Sequence, residues 1–230
     1  MNARRRLAGL TLLLTWGACL LLGSTAQAEE PAAKPAADGW RPLIEGNALT
    51  NWKSSEFGGD GKIEVKDGTL TLGVGRPITG IRWKGPDFPK FNYEISLEAQ
   101  RVEGSDFFLG LTFPVKDKAC TLVLGGWGGG VLGLSSIDGM DASENETSDY
   151  YPFENKHWYK ARVKVTPTHV QAWVNDKKIA DVDYTESTID VRIEMELCKP
   201  LGLATYMTEG EIRNFQYRTL NEPKEEKSNP

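Results

Sequence analysis

Short segments of alternating apolar and polar residues constrain the fold of this 230-residue chain more than any other feature. Asn92 to Gln100 places tyrosine, isoleucine, leucine and alanine at every second position, and Tyr159 to Val165 repeats the pattern. A period of two residues is that of a β-strand with one buried face. No segment has a convincing amphipathic helical pattern. The sequence therefore predicts a chain built almost entirely of strands.

Turn signals join these segments into hairpins. Lys62–Val65 and Thr69–Leu72 flank an Asp-Gly pair, and Val170–Val174 and Ile179–Val182 flank an Asn-Asp pair. Further strands are predicted at Asp106–Phe113, Ala119–Leu124, Ile189–Leu197 and Ile212–Tyr217. Many short strands, each with one apolar face, need two packed antiparallel sheets. The predicted fold class is an all-β, two-sheet antiparallel sandwich of the jelly-roll type.

The N-terminus has the pattern of a secretory signal peptide. Arg4, Arg5 and Arg6 precede an apolar run from Leu7 to Leu22, and Ala26-Gln27-Ala28 follows it. The alternative is an uncleaved membrane anchor, but the run is short for a span of about 20 residues. We expect cleavage after Ala28, a periplasmic or secreted protein, and no membrane insertion of the mature chain.

The remaining sequence divides by composition. We predict a signal peptide at residues 1–28, an Ala/Pro-rich spacer at 29–38, a β-sandwich domain at 39–220 and a charged tail at 221–230.

The charge balance narrows the class of partner. The full chain has a net charge of −5 and a pI of about 5.3, and loss of three arginines with the signal peptide makes the mature chain more negative. This balance argues against nucleic acid and anionic membrane surfaces. After cleavage two cysteines remain, Cys120 and Cys198. An exported compartment permits a disulfide between them, but two buried free thiols are equally compatible with their apolar surroundings.

Five segments in order carry a resemblance to a known family. They are Gly39–Trp52, with Gly39, Leu43, Gly46, Leu49 and Trp52 at the matching positions; Val65–Leu70; the strands that begin at His157 and at Val170; and Glu211–Tyr217. Together they resemble the bacterial 3-keto-disaccharide hydrolase domain family. The resemblance implies a concanavalin A-like lectin/glucanase fold, a carbohydrate or sugar derivative as partner, and cleavage of glycosides oxidised at C3.

One region departs from that family. The central stretch reads Gly-Ser-Asp-Phe-Phe-Leu at residues 104–109, and a Gly-rich segment around Trp127 replaces polar residues that most members have. If the family chemistry depends on those residues, this chain performs it differently or lacks it.

Glu194, Glu196 and Arg192 are the predicted catalytic residues. A C3 ketone acidifies the C2 proton, so elimination at C1 needs a base, a donor for the enolate oxygen and an acid. On a strand, residues two apart lie about 6.6 Å from each other on one face, which is within the range of paired carboxylates in glycoside-cleaving sites. The alternative is an ordinary solvated strand face.

Trp127 is the first predicted substrate-binding residue. It lies in a predicted Gly-rich strand at residues 125–130, where a flat ring could stack on a sugar and glycines allow close approach. The alternative is a core tryptophan flanked by bulges. Arg82 is a further candidate for the rim of a groove.

The loop from Leu134 to Glu146 supplies the other predicted binding residues, Asp138, Asp141 and Glu144. Carboxylate oxygens in a loop suit Ca²⁺, although the spacing is not that of an EF-hand. A solvated turn and a metal-free ligand site are the alternatives, and our prediction names no metal ligand and no cofactor.

Three functions remain open from the sequence. The first is a hydrolase or lyase of 3-keto-glycosides, the second a non-catalytic carbohydrate-binding module of the cell envelope, and the third an envelope interaction protein without a small ligand.

Overall fold

The protein is a two-sheet antiparallel β-sandwich, described here from a computed structural model covering residues 39–221. The predicted signal peptide, the spacer and all but the first residue of the charged tail lie outside the described residues. Numbered in chain order, the strands are β1 (Arg41–Pro42), β2 (Trp52–Ser54), β3 (Ile63–Lys66), β4 (Thr69–Leu72), β5 (Ile78–Trp83), β6 (Tyr93–Glu103), β7 (Leu109–Val115), β8 (Lys118–Gly125), β9 (Val131–Ser135), β10 (Asp149–Tyr150), β11 (Tyr159–Val165), β12 (His169–Val174), β13 (Lys177–Asp183), β14 (Gly202–Tyr206) and β15 (Glu209–Thr219).

Each sheet is formed by strands distant in the chain. Sheet 1 has the order β13-β12-β11-β6-β15-β4-β3, with β1 also paired to β15. Sheet 2 has the order β10-β9-β8-β7-β14-β5-β2. The predicted fold class is confirmed, and so are both predicted hairpins, which are β3-β4 and β12-β13.

The core lies between the two sheets. Tyr93, Phe108, Phe113 and Phe215 are among its largest fully buried side chains. Trp52, from the motif that opens the domain, donates from its indole nitrogen to the Leu43 carbonyl at 2.8 Å and is also buried. The apolar face that alternation predicts for each strand of sheet 1 points into this core.

The outer face of sheet 1 carries ion pairs. Glu94 is buried there and accepts hydrogen bonds from Arg162 at 3.0 Å and from Arg218 at 2.8 Å. The Arg162 guanidinium also lies 3.5 Å from the centre of the Trp173 ring. These charged side chains are paired with one another, and this pairing orders the outer face of sheet 1.

Sheet 2 is different because both of its faces are largely buried. Its outer face carries a second apolar cluster that includes Ile78, Ala119 and Ala204 from strands and Val191, Met195 and Cys198 from the segment after β13. That segment therefore packs over the sheet, and the pocket described below lies at its edge.

The predicted strand at Ile189–Leu197 is wrong. Residues Ile193–Cys198 form a 3₁₀ helix that follows an extended Arg192. Met195 and Cys198 face the sheet, whereas Ile193 is 84% exposed. Glu194 and Glu196 consequently do not share a strand face, so the geometric basis for pairing them is lost.

The predicted Gly-rich strand around Trp127 is also wrong. Strand β8 ends at Gly125, and Gly126–Gly129 form a tight turn with left-handed backbone at Trp127 (φ 48°) and Gly128 (φ 89°). A Cβ on Gly130, which follows, would lie 2.1 Å from the exposed Tyr150 ring, so that ring packs directly over the glycine.

Both cysteines are free. Cys120 points into the core from β8, and Cys198 lies in the apolar cluster on the opposite face of sheet 2. Burial raises the pKa of each thiol to about 12, so neither is a nucleophile at neutral pH. Of the two alternatives that the sequence leaves open, a disulfide and two buried free thiols, the structure shows the free thiols.

Candidate functional site

A pocket of about 260 Å³ lies on the outer face of sheet 2. Its floor is formed by outward-facing side chains and one glycine of five strands, because residues two apart on a strand share a face. These residues are Ile78 of β5, Gly110 of β7, Thr121 and Val123 of β8, Ser135 of β9 and Tyr206 of β14.

Three segments outside the sheet form the walls. The loop before β7 contributes Asp106 and Phe107, and the turn after β8 contributes Trp127. The 3₁₀ segment contributes Arg192, Glu194 and Met195. Met195 packs on the sheet, whereas Glu194 lies at the edge of the pocket.

Trp127 lies at the mouth of this pocket. Its side chain is 42% exposed, which excludes the alternative of a core tryptophan. The Arg192 guanidinium is 5.8 Å from its ring centre. The turn that presents it is fixed by Asp106, whose carboxylate accepts from the Gly128 N–H at 3.2 Å and from the Phe107 N–H at 2.7 Å.

Arg192 is the central cation of the site. Its Nη1 donates to Asp141 at 2.5 Å, and its Nη2 and Nε donate to the two carboxylate oxygens of Glu194 at 3.1 and 3.3 Å. The hydrogen bond between them raises the pKa of Arg192 and lowers the pKa of Glu194. Both groups are therefore charged at neutral pH, and Glu194 can accept a proton but has none to donate.

Arg101 holds two walls of the site together from below. It is buried and forms no salt bridge with a carboxylate of residues 39–221. It donates to the carbonyls of Phe153, Gly129 and Asp106 at 2.7, 3.2 and 3.3 Å, and to the side-chain oxygen of Asn155 at 2.6 Å. One guanidinium thus links the loop that carries Asp106 to the turn that carries Trp127. Its position on a sheet strand gave no signal for this role in the sequence.

The structure brings together four of the predicted site residues. Trp127, Arg192 and Glu194 line the pocket, and Asp141 binds Arg192 from behind. Sequence reasoning missed Asp106, Phe107, Ser135 and Tyr206. Asp106 and Phe107 lie in the central stretch that departs from the family pattern. That departure was the feature of the sequence that could have indicated them.

The other four predicted residues lie elsewhere. Glu196 pairs with Lys199 at 2.7 Å and is not among the residues lining the pocket. Asp138 accepts from the Thr188 N–H at 2.6 Å, and Glu144 is exposed on its loop. Arg82 is on the outer face of β5, with Glu56 3.8 Å away.

Within residues 39–221, no group of three or more histidine, cysteine, aspartate or glutamate side chains is arranged to hold a metal ion. In the same range, no helix is long and apolar enough to cross a membrane.

The described residues form an all-β, two-sheet sandwich of the concanavalin A-like lectin/glucanase fold class. The Crh5 transglycosylase has a similar fold, with a TM-score of 0.51 at 10% identity over 80% of this chain and 84% of that one. The same enzyme in complex with NAG gives 0.50 at 11% identity, over 78% and 88% of the two chains. The carbohydrate-binding module CBM66 from Bacillus subtilis gives 0.49 at 9% identity, over 74% and 96%.

The sequence match is more specific than these fold similarities. The model of the 3-keto-alpha-glucoside-1,2-lyase-like domain matches residues 39–218, and the chain belongs to this family. The predicted family is thereby confirmed. Comparison with curated protein sequences finds no significant match.

Proposed function

We propose that the protein is an exported lyase that cleaves 3-keto-glycosides in the pocket on sheet 2, with Glu194 as the base and Arg192 as the oxyanion partner. The observation that carries the proposal is the fixed Arg192–Glu194 pair beside an exposed tryptophan in a chain of this family. The proposed export rests on the signal-peptide pattern of residues 1–28.

The mouth of the pocket has the groups that a sugar ring needs. Trp127 offers a flat apolar face for the C–H side of the ring, and its exposure leaves that face accessible. Arg192, Glu194 and Asp106 provide charged donors and acceptors around it. The bound NAG of the Crh5 transglycosylase supports a sugar as ligand for a protein of this fold.

The proposed reaction is an elimination at C1. The ketone at C3 acidifies the C2 proton, which the Glu194 carboxylate takes, and the resulting negative charge on the C3 oxygen lies against Arg192. The electron pair then forms the C1–C2 double bond as the C1–O bond breaks. The leaving oxygen takes up the proton that Glu194 abstracted, which regenerates the carboxylate. Addition of water across the C1–C2 double bond, with the hydroxyl at C1 and a solvent proton at C2, gives the free 3-keto sugar.

A non-catalytic binding module is the second candidate, and one observation favours it. Glu194 is held through both carboxylate oxygens by Arg192, and this pairing lowers its pKa. A carboxylate stabilised in this way is a weaker base than a free one. Binding without turnover would then be the function of the same pocket.

The distinguishing experiment incubates the purified protein with 3-keto-glucosides and their unoxidised parents and measures products by mass spectrometry. We expect cleavage of the keto compounds alone. Glu194→Gln should lower kcat/KM by about 100-fold or more while binding persists, because a positioned base contributes roughly 10²–10⁴.

The matched control is Glu196→Gln. It makes the same chemical change two residues away, on a side chain paired with Lys199 outside the pocket. We expect it to leave kcat/KM nearly unchanged. Equal losses in both variants would contradict the assignment of Glu194 alone, and no cleavage by the folded wild-type protein would favour the binding module.

A further inference from the structure

We infer that the deep part of the pocket is a subsite for an aromatic aglycone with a polar group at its inner end, so that the preferred ligands are phenolic glycosides and not disaccharides. This rests on the proposed function in one respect, namely that the sugar ring occupies the mouth beside Arg192 and Trp127.

The composition of the deep part does not suit a sugar. Its surface is formed mainly by Ile78, Phe107, Val123, Met195 and Tyr206. A pyranose presents hydroxyl groups around its whole edge, and each hydroxyl buried without a partner costs about 1–3 kcal/mol. An aromatic ring has no hydroxyl groups around its edge to leave unpaired, and its burial against an apolar surface is favourable.

Aromatic side chains line the deep part. The ring centres of Phe107 and Tyr206 are 5.8 Å apart with an interplanar angle of 39°, and both side chains are partly exposed, so a planar ring can lie against them. A Cβ on Gly110 would lie 3.2 Å from the Phe107 ring and 3.3 Å from the Met195 methyl. The glycine therefore lets these two pocket-lining side chains pack close to the sheet, and an alanine there would push them into the pocket.

Ser135 indicates the polar group of the ligand. It lines the pocket from β9, it is buried, and its Oγ has no hydrogen-bond partner among the described residues. Thr121, the other aliphatic hydroxyl of the floor, is already bonded to Thr112 at 2.9 Å. A buried unpaired hydroxyl is costly, and rotation of the Ser135 side chain toward the pocket would let its hydroxyl pair with a ligand hydroxyl or carbonyl at the inner end of the aglycone.

Binding to unoxidised glucosides tests this inference independently of catalysis. Calorimetry would compare methyl, phenyl and 4-hydroxyphenyl glucosides in both anomeric forms, with maltose as the disaccharide. We expect the phenyl compound to bind at least about tenfold more tightly than the methyl compound, the fold-change that burial of an aromatic ring predicts. We expect the 4-hydroxyphenyl compound to bind more tightly still.

Two variants separate the contributions. Gly110→Ala should abolish the advantage of phenyl over methyl, because the added methyl group narrows the subsite. Ser135→Ala should abolish only the advantage of 4-hydroxyphenyl over phenyl. Val74→Ala changes an exposed apolar side chain that is not among the pocket-lining residues and should alter neither ratio. Thermal melting would confirm that each variant is folded.

The outcomes separate this inference from the proposed function. Tight, variant-sensitive binding of phenolic glucosides without cleavage of any keto compound would support the subsite and contradict the lyase. Cleavage of 3-keto disaccharides with no preference for aryl glucosides would contradict the subsite and support the lyase. Equal binding of methyl and phenyl glucosides, or binding of neither, would overturn the subsite.

Discussion

At the scale of single residues, the site depends on how each charge is paired. Glu194 is held by Arg192, and Arg192 is held in turn by Asp141. Arg101, in contrast, donates to uncharged oxygen acceptors, and residues 39–221 offer it no salt bridge. We therefore expect different effects of substitution: a change of Arg192 alters the proposed reaction at the mouth, whereas a change of Arg101 alters the position of the walls.

The pairing of Glu194 predicts how activity depends on pH. Its pKa is lowered by the hydrogen bond from Arg192, so the carboxylate remains ionised below the ordinary value of about 4.3 for a glutamate. A base acts when ionised, so kcat/KM should stay constant from neutral pH down to about pH 5 and fall only as the pH passes through the lowered pKa. An acid-side loss of kcat/KM centred between pH 6 and 7, roughly two units above that reference, would contradict this base.

Replacement of Arg101 by lysine should destabilise the fold. A single ammonium group cannot serve three backbone carbonyls and an amide oxygen, and buried acceptors left unpaired cost about 1–3 kcal/mol each. We expect a loss of about 3 kcal/mol in the free energy of unfolding, measured with urea. The control is Arg41→Lys, at an exposed position of β1, which should change it by less than about 0.5 kcal/mol. Equal stability of the two variants would show that Arg101 does not hold the walls.

The sequence indicated individual residues of the candidate site only where their chemistry was evident. Trp127 was selected because it lies among glycines, and Arg192, Glu194 and Asp141 were selected because they are charged. Ser135 and Tyr206 could not be found, because their role comes from strands that meet only in the folded sheet. Glu196 was selected with Glu194 through a strand geometry that does not exist here.

At the scale of elements, the acidic loop is organised by a buried amide. Asn145 donates to the carbonyls of Leu134 and Met140 at 2.7 and 3.2 Å, and its side-chain oxygen accepts from the N–H and the hydroxyl of Thr147 at 2.9 and 2.6 Å. The loop that carries Asp141 toward Arg192 is thus held by protein groups.

Asn145→Ala should therefore unfold at a lower temperature than the wild type. We expect a loss of about 2 kcal/mol, or roughly 4–8 °C in Tm for a chain of this size, because buried partners lose their hydrogen bonds. Glu144→Gln, the exposed neighbour on the same loop, is the control and should leave Tm unchanged. Addition of millimolar Ca²⁺ should not raise the Tm of either protein, and a clear rise would contradict the metal-free loop.

The strands of sheet 1 were predictable and those of sheet 2 were less so, for a physical reason. Strands β6 and β11 alternate because one face meets water or ion pairs, whereas β7 is buried along its whole length. A strand buried on both faces has no alternation. The 3₁₀ segment was taken as a strand because it alternates, yet Val191, Met195 and Cys198, which face the sheet, have the spacing of four and three residues that is typical of a helix.

In the whole molecule, the two sheets differ in what their outer faces carry. Sheet 1 closes the core and carries its own ion pairs outside, and sheet 2 supports a covering segment and a pocket. The fold class followed from the strand pattern, but the pocket arises from packing between strands distant in sequence. In the proposed reaction, this pocket removes the C2 proton of a 3-keto-glycoside.

Cleavage of a 3-keto-glucoside in D₂O, with the sugar product analysed by mass spectrometry, tests this proton removal. We expect one deuterium at C2 of the product, no deuterium at C2 when the same product is kept in D₂O without protein for the same time, and no cleavage of the unoxidised parent glucoside. A sugar product without deuterium would show direct hydrolysis at C1, and an intact keto compound in the presence of folded protein would show no catalysis. Either result would contradict the proposed elimination.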